Sequence, residues 1–568
     1  MMATIVALIA FTAAPVGAAI IHVPSDYPTI QAGINAAADG DTVLVADGTY
    51  TGEDNKDVLI NKAIPVMSEN GPESCIIDVE GAHGSAARAF RVQGGAITIQ
   101  GFTMKNGWTA YYGGAISVES GALIVTNCVF ESCASPGWGA GAISTYQAHA
   151  FIEDSTFSNC WALEGGGAVL ASDSTQVLNC SFENCSSVRS DGGAIIGCAQ
   201  IYASSFTGCS AGKNGGAIGA GNTNISFCNF QNCGSTEDGG AIYSYNSSPG
   251  IHNCMFENCS AGWYGGAFSC RLGSPTISSC TFEENSAEYN GGAANAGMES
   301  EALFQNCTFT DNVSGQAGGA LVVWDGSVAE FDNCLLVGNS SVESYGGAIF
   351  VYGSDCYVYN STIADNSSAL GGAGIMLYGA DLTLNESVIW NGPTSVDFLS
   401  GGGISSVVTA YSCLPGGGTT YPGTGNIDED PLFVDGPWGD YYLSQVAAGQ
   451  TVDSPCVDAG EFLVGTFWGT TRSDGRADEG TRNIGFQYLA LGDVTGDYKV
   501  TAGDALMAFR IALGYTPTIQ QFWAADANVD GVVTAGDALQ IYAWALGHEK
   551  ATPALAKKFV AFLMKNLK

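Results

Sequence analysis

One phrase recurs eleven times between Gly113 and Asn391, and it limits what this chain can fold into. Each copy opens on Gly-Gly-Ala and an apolar residue, crosses a polar stretch, and closes on Phe-x-x-Cys or Phe-x-x-Asn. The opening alanines are Ala115, Ala142, Ala168, Ala194, Ala217, Ala241, Ala267, Ala293, Ala320, Ala348 and Ala373, spaced 23 to 28 residues apart. Only Ala140-Gly141-Ala142 departs from the double glycine. A fixed period of this length marks a solenoid, because a single repeat cannot bury its apolar face without neighbours.

The closing half of each repeat reports its geometry. With Asn127, Asn179, Asn253, Asn306, Asn333, Asn360 or Asn385 as zero, position −2 is usually apolar. Position +3 is Phe130, Phe182, Phe256, Phe309, Leu336, Ile363 or Val388. Alternation by two is the strand signal, and a slip at one fixed place reads as a corner between two short strands. The glycine pair supplies a second corner, since glycine accepts positive φ and close backbone approach. Two or three short strands per repeat, with no helical period between them, predict a mainly β chain wound as a parallel β-helix. Equivalent residues of successive coils then stack at ~4.8 Å, and eleven coils span roughly 50 Å.

Gly-Gly-Ala-Ile with Phe-x-x-Asn resembles the repeat of the chlamydial polymorphic outer-membrane proteins and of bacterial right-handed parallel β-helix repeat proteins. That resemblance implies a right-handed solenoid. It leaves function open among adhesins, structural surface proteins and polysaccharide-cleaving enzymes.

Composition narrows the partners. A formal net charge of −37 over 568 residues disfavours nucleic acid and anionic membranes. The 19 cysteines include two series at repeat positions. Cys133, Cys160, Cys185, Cys209, Cys233 and Cys259 form one, continued by Asn285, Asn312, Asn339 and Asn366. Cys128, Cys180, Cys228, Cys254, Cys280, Cys307 and Cys334 form the other. In-register stacking holds Cβ atoms at ~4.8 Å, whereas a disulfide wants about 3.8 Å. Most therefore read as small buried apolar residues, with a minority left to pair. No Cys-x-x-Cys occurs, so zinc and covalent haem find no support.

In chain order, residues 1–19 read as a secretory signal peptide, apolar to Ala14 with Val16-Gly17-Ala18 as cleavage site. Residues 20–112 read as an N-terminal cap and first coils. They include a helix opened by Pro28 and running to Ala38, with Ile30 and Ile34 on its apolar face. This segment resembles the cap of pectate-lyase-like β-helix proteins. Residues 113–391 are the eleven repeats. Residues 392–490 resemble the closing segment of secreted bacterial β-helix proteins, with Asp474 and Asp478 read as residues of structural loops. No stretch beyond the signal is apolar enough to span a membrane.

Residues 491–550 are a duplication with a 33-residue offset. Asp493, Thr495, Asp497, Lys499, Thr501 and Asp504 align with Asp526, Asn528, Asp530, Val532, Thr534 and Asp537. These fall at positions 1, 3, 5, 7, 9 and 12 of an EF-hand-type loop, where oxygens bind Ca2+, position 7 through its backbone carbonyl. Each loop leads into an amphipathic helix. The second loop is the more complete, because the first has Thr495 at position 3 and Tyr498 where glycine turns the chain. Asp at position 12 and the tandem layout resemble a dockerin module. That resemblance implies calcium as cofactor and a cohesin-like protein as partner. Ala502-Gly503 and Ala535-Gly536 stand where cellulosomal dockerins carry Ser-Thr, which points to a non-cellulosomal cohesin or an intramolecular role. Residues 551–568 form a last helix with Leu555, Phe559, Phe562, Leu563 and Leu567 on one face and four lysines around it. It reads as docked on the acidic body, with a membrane-surface or partner helix as the alternative.

No catalytic residue emerges. Between Gly113 and Asn391 the basic residues are Arg189, Lys213 and Arg271, with His149 and His252. No pair of carboxylates repeats across neighbouring coils. Aromatic residues precede the glycine corners in several repeats: Trp108, Tyr111, Tyr112, Trp138, Trp161, Trp263, Tyr264, Tyr289 and Tyr345. They either cap those corners or form an edge that binds sugar rings or a protein. The expectation is a secreted, cell-surface, non-catalytic β-helix for adhesion, scaffolding or carbohydrate or protein binding, tied to a polysaccharide or host-surface ligand and anchored by the dockerin-like module. Alternatives are a polysaccharide lyase or glycoside hydrolase, and a subunit of an extracellular fibre.

Overall fold

The computed structural model describes residues 18–489 apart from 82–85, 146–147, 173, 392–397, 402–405, 417–419, 422, 437–438, 462–468, 474–477 and 479–480. Beyond these it describes residues 501–512, 533–546 and scattered single positions. The expected signal peptide lies outside the described residues up to position 17. The chain divides into two compact units, Met1–Gly212 with Ala217–Gly219, and Lys213–Gly216 with Ala220–Lys568.

Both units consist of β-solenoid coils. One coil of the second unit runs through strands Ile242–Tyr245, Gly250–His252, Met255–Glu257 and Ser260–Ala261. The next lies parallel to it and in register, pairing Ile242 with Phe268, Ile251 with Ile277, Phe256 with Phe282 and Ala261 with Ala287. The first two strands of a coil share one sheet, and the third and fourth each build another. Inward positions are buried and their neighbours are partly or fully exposed, as period-two alternation demands.

The corners sit where the sequence slips. Asn253, Asn306, Asn333 and Asn360 have left-handed φ of 52–54°, a conformation asparagine tolerates better than most residues. Asn385 does not follow them. There the left-handed residue is Glu386 (φ 50°), and Ile389 rather than Val388 continues the Phe column opposite Ile363. A further corner, absent from the expectation, falls two residues after each Phe, at Asn232, Asn258 and Asp311 for example. At the glycine corner the two residues serve different needs. Gly265 takes φ 68°, while a Cβ on Gly266 would lie 2.0 Å from the Gly292 carbonyl oxygen of the next coil.

Stacking fills the interior with columns. Phe130, Phe157, Phe182 and Phe206 stack at 4.6–4.8 Å between ring centroids in the first unit. Phe230, Phe256, Phe282 and Phe309 do so at 4.7–4.8 Å in the second. All 19 cysteines are buried, and none forms a disulfide. Burial pushes the Cys128 and Cys180 thiols up to about 12, and both S–H groups donate to backbone carbonyls. Where asparagine replaces cysteine, the amide does more. Asn312 Nδ2 donates to the Phe282 carbonyl at 2.9 Å, and its Oδ1 accepts from the Asn285 backbone N–H at 3.0 Å. Asn339 and Asn366 repeat the pattern, which satisfies buried backbone groups coil after coil.

At the N-terminus helix α1 (Ile30–Ala36) starts at Thr29, whose hydroxyl accepts from Ala32 N–H at 3.2 Å. Pro28 therefore lies outside the helix, which ends two residues before Ala38. Ile30 and Ile34 are buried as expected. In the second unit the stretch after the last repeat caps a coil and also runs along its flank. Leu335, Val337 and Ala364 occupy outward positions of the third-strand sheet, yet pack against Tyr442, Phe486 and Tyr488. Arg482 meets Glu386 at 3.1 Å, both buried, and Gln487 exchanges two hydrogen bonds with Asn333.

Helices α2 (Ala502–Ala512) and α3 (Ala535–Ala545) pack through Ala505, Ala508, Ile511, Ala538, Ile541 and Tyr542. Phe559 lies 5.0 Å from the Tyr542 ring, and Phe562 5.4 Å. Phe559 and Phe562 of the last segment thus pack against this helix pair, and Leu563 and Leu567 lie outside the described residues. No helix among the described residues is long and apolar enough to cross a membrane.

Phe256→Ala should lower stability by about 3–5 kcal/mol, since it removes a ring stacked on both sides and leaves a cavity in close-packed surroundings. A shift of the urea midpoint measures it.

Candidate functional site

Two places concentrate chemistry. The first is the start of α2 and α3. Thr534 precedes α3, and its backbone N–H and hydroxyl donate to Asp537 Oδ2 at 2.8 and 2.6 Å. Its hydroxyl also accepts from Gly536 N–H, which completes a reciprocal capping box. Thr501 and Asp504 repeat this arrangement at 2.7 and 2.8 Å before α2. Both aspartates are buried, at 0% and 1% exposure. A buried carboxylate held at a helix N-terminus is an oxygen ligand fixed in place before any cation arrives. Thr501, Asp504, Thr534 and Asp537 are thus brought together in pairs at equivalent loop ends. Asp493, Thr495, Asp497, Lys499, Asp526, Asn528, Asp530 and Val532 lie outside the described residues. The donor set is hard oxygen throughout, which fits calcium.

The second place is the outward face of the first-strand sheet in the second unit. One register position there reads Tyr245, Arg271, Gly297, Trp324, Tyr352 and Tyr378 on successive coils. Tyr352 and Tyr378 stack at 5.2 Å and remain 50% and 39% exposed. Trp324 donates through Nε1 to Asn295 Oδ1 at 2.7 Å and lies against Gly297. Any side chain at Gly297 would strike that indole. Arg271 pairs with buried Asp238, and its guanidinium stands 5.6 Å from the Tyr264 ring and 5.7 Å from Trp324. Such cation–π contacts hold a partly desolvated arginine in one orientation. Beside this cluster Asn222, Asn246, Ser248, Ser274, Glu299 and Glu301 line an open polar groove of about 400 Å³.

The aromatic residues named from the sequence are placed differently. Tyr111, Tyr112 and Trp138 are exposed in the first unit, where Trp108 and Trp161 meet edge to face at 5.5 Å. In the second, Trp263 and Tyr289 are exposed, while Tyr264 turns onto Arg271. The ladder at Tyr245, Trp324, Tyr352 and Tyr378 was not foreseen. Tyr245, Trp324 and Tyr352 fall four residues after the Ala of a glycine corner, and Tyr378 falls five after Ala373. Arg189 and Lys213 are exposed, and His252, its basicity lowered by burial, bonds Ser278 at 2.7 Å. Asp474 lies outside the described residues.

The comparisons agree with this architecture. The chain matches the right-handed β-helix region family over residues 88–215, 142–309 and 270–413, more than half its length. It belongs to the right-handed β-helix family. Residues 491–543 match the dockerin type I domain. No curated protein matches. Among solved structures this β-helix is similar to a mannuronic-acid-specific polysaccharide family 6 lyase from human gut microbiota. Identity is 12%, with 65% of this chain and 87% of that one covered, at a TM-score of 0.29.

Asp478 serves the β-helix's closing segment. Its carboxylate accepts from Thr471 N–H at 2.9 Å and Thr471 hydroxyl at 3.1 Å. Burial outweighs these bonds and raises it from 3.8 to about 6. A folded-state value above the unfolded one gives stability that is complete below about pH 4 and lost as pH rises through 6. Between pH 4 and 7 the wild type should lose about 2–3 kcal/mol that Asp478→Asn does not. Thermal melts of both proteins across that range give the difference.

Proposed function

We propose that this β-helix protein works outside the cell, at or near a surface. Its solenoid serves adhesion, scaffolding or carbohydrate binding, and its dockerin module is the attachment. The observation that carries this reading is the dockerin type I match together with two Thr-x-x-Asp loop ends of the same geometry. Calcium would be held by Asp493, Thr495, Asp497, the Lys499 carbonyl, Thr501 and Asp504 in one loop. In the other, Asp526, Asn528, Asp530, the Val532 carbonyl, Thr534 and Asp537 would hold it. The ion supplies the positive charge that lets several carboxylates converge at a helix start. The partner is a cohesin-like domain on another protein.

In the full chain, calcium titration by calorimetry should show binding that Asp530→Ala with Asp537→Ala abolishes in the second loop. Capture on immobilised cohesin domains should require calcium, cease in EGTA and weaken at least tenfold in that variant. No calcium heat in the wild type sinks the reading.

A second reading, a polysaccharide lyase or hydrolase, is favoured by one observation, the oriented Arg271 between Asp238, Tyr264 and Trp324. Arginine held beside a groove is a candidate acid–base group or charge stabiliser. If it is catalytic, incubation with polyuronates or neutral polysaccharides releases reducing ends or unsaturated uronates, and Arg271→Ala loses at least a hundredfold in rate. Absence of product from the wild type with either class counts for the non-catalytic reading.

A further inference from the structure

We propose that the register ladder of the second unit, from Tyr245 through Trp324 to Tyr352 and Tyr378, is a binding track for a neutral polysaccharide chain. This deepens the reading above, resting on its assignment of ligand binding to the solenoid, and names the ligand's class and place.

Three observations carry it. The first is pitch. Consecutive ladder positions sit on hydrogen-bonded parallel coils, hence ~4.8 Å apart. This is close to the rise of one pyranose along an extended glycan, so successive sugars along Trp324, Tyr352 and Tyr378 each meet an aromatic ring. A protein partner has no such reason to follow the coil repeat.

The second is exposure. Tyr245, Tyr352 and Tyr378 keep 55%, 50% and 39% of their surface in water. A stack that served only the sheet would gain most by burying those rings. Rows of half-exposed aromatics mark binding surfaces. The bare Gly297 backbone lets the Trp324 indole lie along the face, fixed by Asn295. That gives a flat apolar platform between the tyrosines and the polar groove at Asn246 and Ser274.

The third is charge. Between residues 220 and 401 the only lysine or arginine is Arg271, and Asp238 already neutralises it. Glu299 and Asp325 in the turns leaving the ladder strands, and Asp355 and Asp381 at the start of the strands that follow, are at least partly exposed. Along this edge a polyuronate meets carboxylates without an opposing cation. A neutral glycan instead finds acceptors for its hydroxyl groups. The charge pattern therefore selects hydroxyl-rich, uncharged chains.

The test is affinity electrophoresis of the full chain in calcium, through gels holding glucomannan, xyloglucan or hydroxyethylcellulose, and through gels holding polygalacturonate or alginate. At least one neutral polymer should retard the wild type, and the two polyuronates should not. Tyr352→Ala with Tyr378→Ala, both at the surface, should weaken retardation about tenfold. Trp324→Ala should do at least as much. If Trp324→Ala melts early, the double tyrosine variant decides. Retardation by polyuronates alone, by nothing, or equally in wild type and the double tyrosine variant overturns the proposal. Cohesin capture is measured on the same samples. If capture persists while neutral glycans fail, the track is wrong and the dockerin reading stands.

Discussion

Everything in this molecule follows from backbone hydrogen bonds that tie each coil to the next in register. Ile242 faces Phe268, Phe256 faces Phe282 and Ala261 faces Ala287, because the ladders admit no slip without turning every inward residue out. Once register is fixed, a residue's environment is set by its counterparts one coil before and after. Phenylalanines at one position must stack, and they do so within 6° of parallel. A side chain too large at a corner would force two coils apart. The second glycine of each pair prevents this: at Gly266 the next coil's carbonyl occupies the space a Cβ would need.

The same constraint explains the cysteines and asparagines. A buried position repeated coil after coil needs either an undemanding small group or one that bonds its copies. Cysteine is the first kind, a small buried group whose S–H bonds to carbonyls, as at Cys128. Asparagine is the second: Asn312 Oδ1 accepts from the Asn285 backbone N–H of the preceding coil, and its Nδ2 donates to Asn339 Oδ1 of the following one. The switch at Asn285 changes the chemistry without changing the shape, since Asn285 Oδ1 accepts from the Cys259 backbone N–H across the boundary. Nineteen thiols in a chain read as exported look like a disulfide framework by count alone. Stacking geometry argues otherwise, and none of them forms a disulfide.

Period made the fold legible from sequence, and it also decided what escaped. The corners at Asn253 or Asn333 announce themselves because asparagine tolerates left-handed backbone. The corner at Glu386 did not, since a glutamate carries no such preference, and Asn385 beside it drew the alignment one residue early. The docking of Tyr442, Phe486 and Tyr488 left a trace only in reverse. Leu335-Leu336-Val337 breaks polar–apolar alternation, because both faces of that strand are covered. The aromatic ladder leaves only a weak trace in the sequence, because Tyr245, Trp324 and Tyr352 follow a repeated alanine by four residues, Tyr378 by five, and Arg271 and Gly297 interrupt the column. The setting of Arg271 was not legible because Asp238 and Trp324 approach it from other coils. Contacts one or two coils apart are invisible until register is known.

In-register stacking turns a point feature into a row, and function on such a scaffold is accordingly linear. One tyrosine on a globular surface is ordinary, whereas one register position repeated along parallel coils is a ruler. The dockerin region works by the opposite logic. Asp504 and Asp537 take the hydrogen bonds that start a helix, and in the proposed reading each would also be the twelfth-position ligand of a calcium loop. On that reading a cation there would tighten the helix start, so attachment would be switched by an ion at a point, while glycan binding along the coils would depend on no such switch. The two parts meet different demands: reversible assembly asks for a few strongly coupled groups, and holding a polymer asks for many weak, evenly spaced ones.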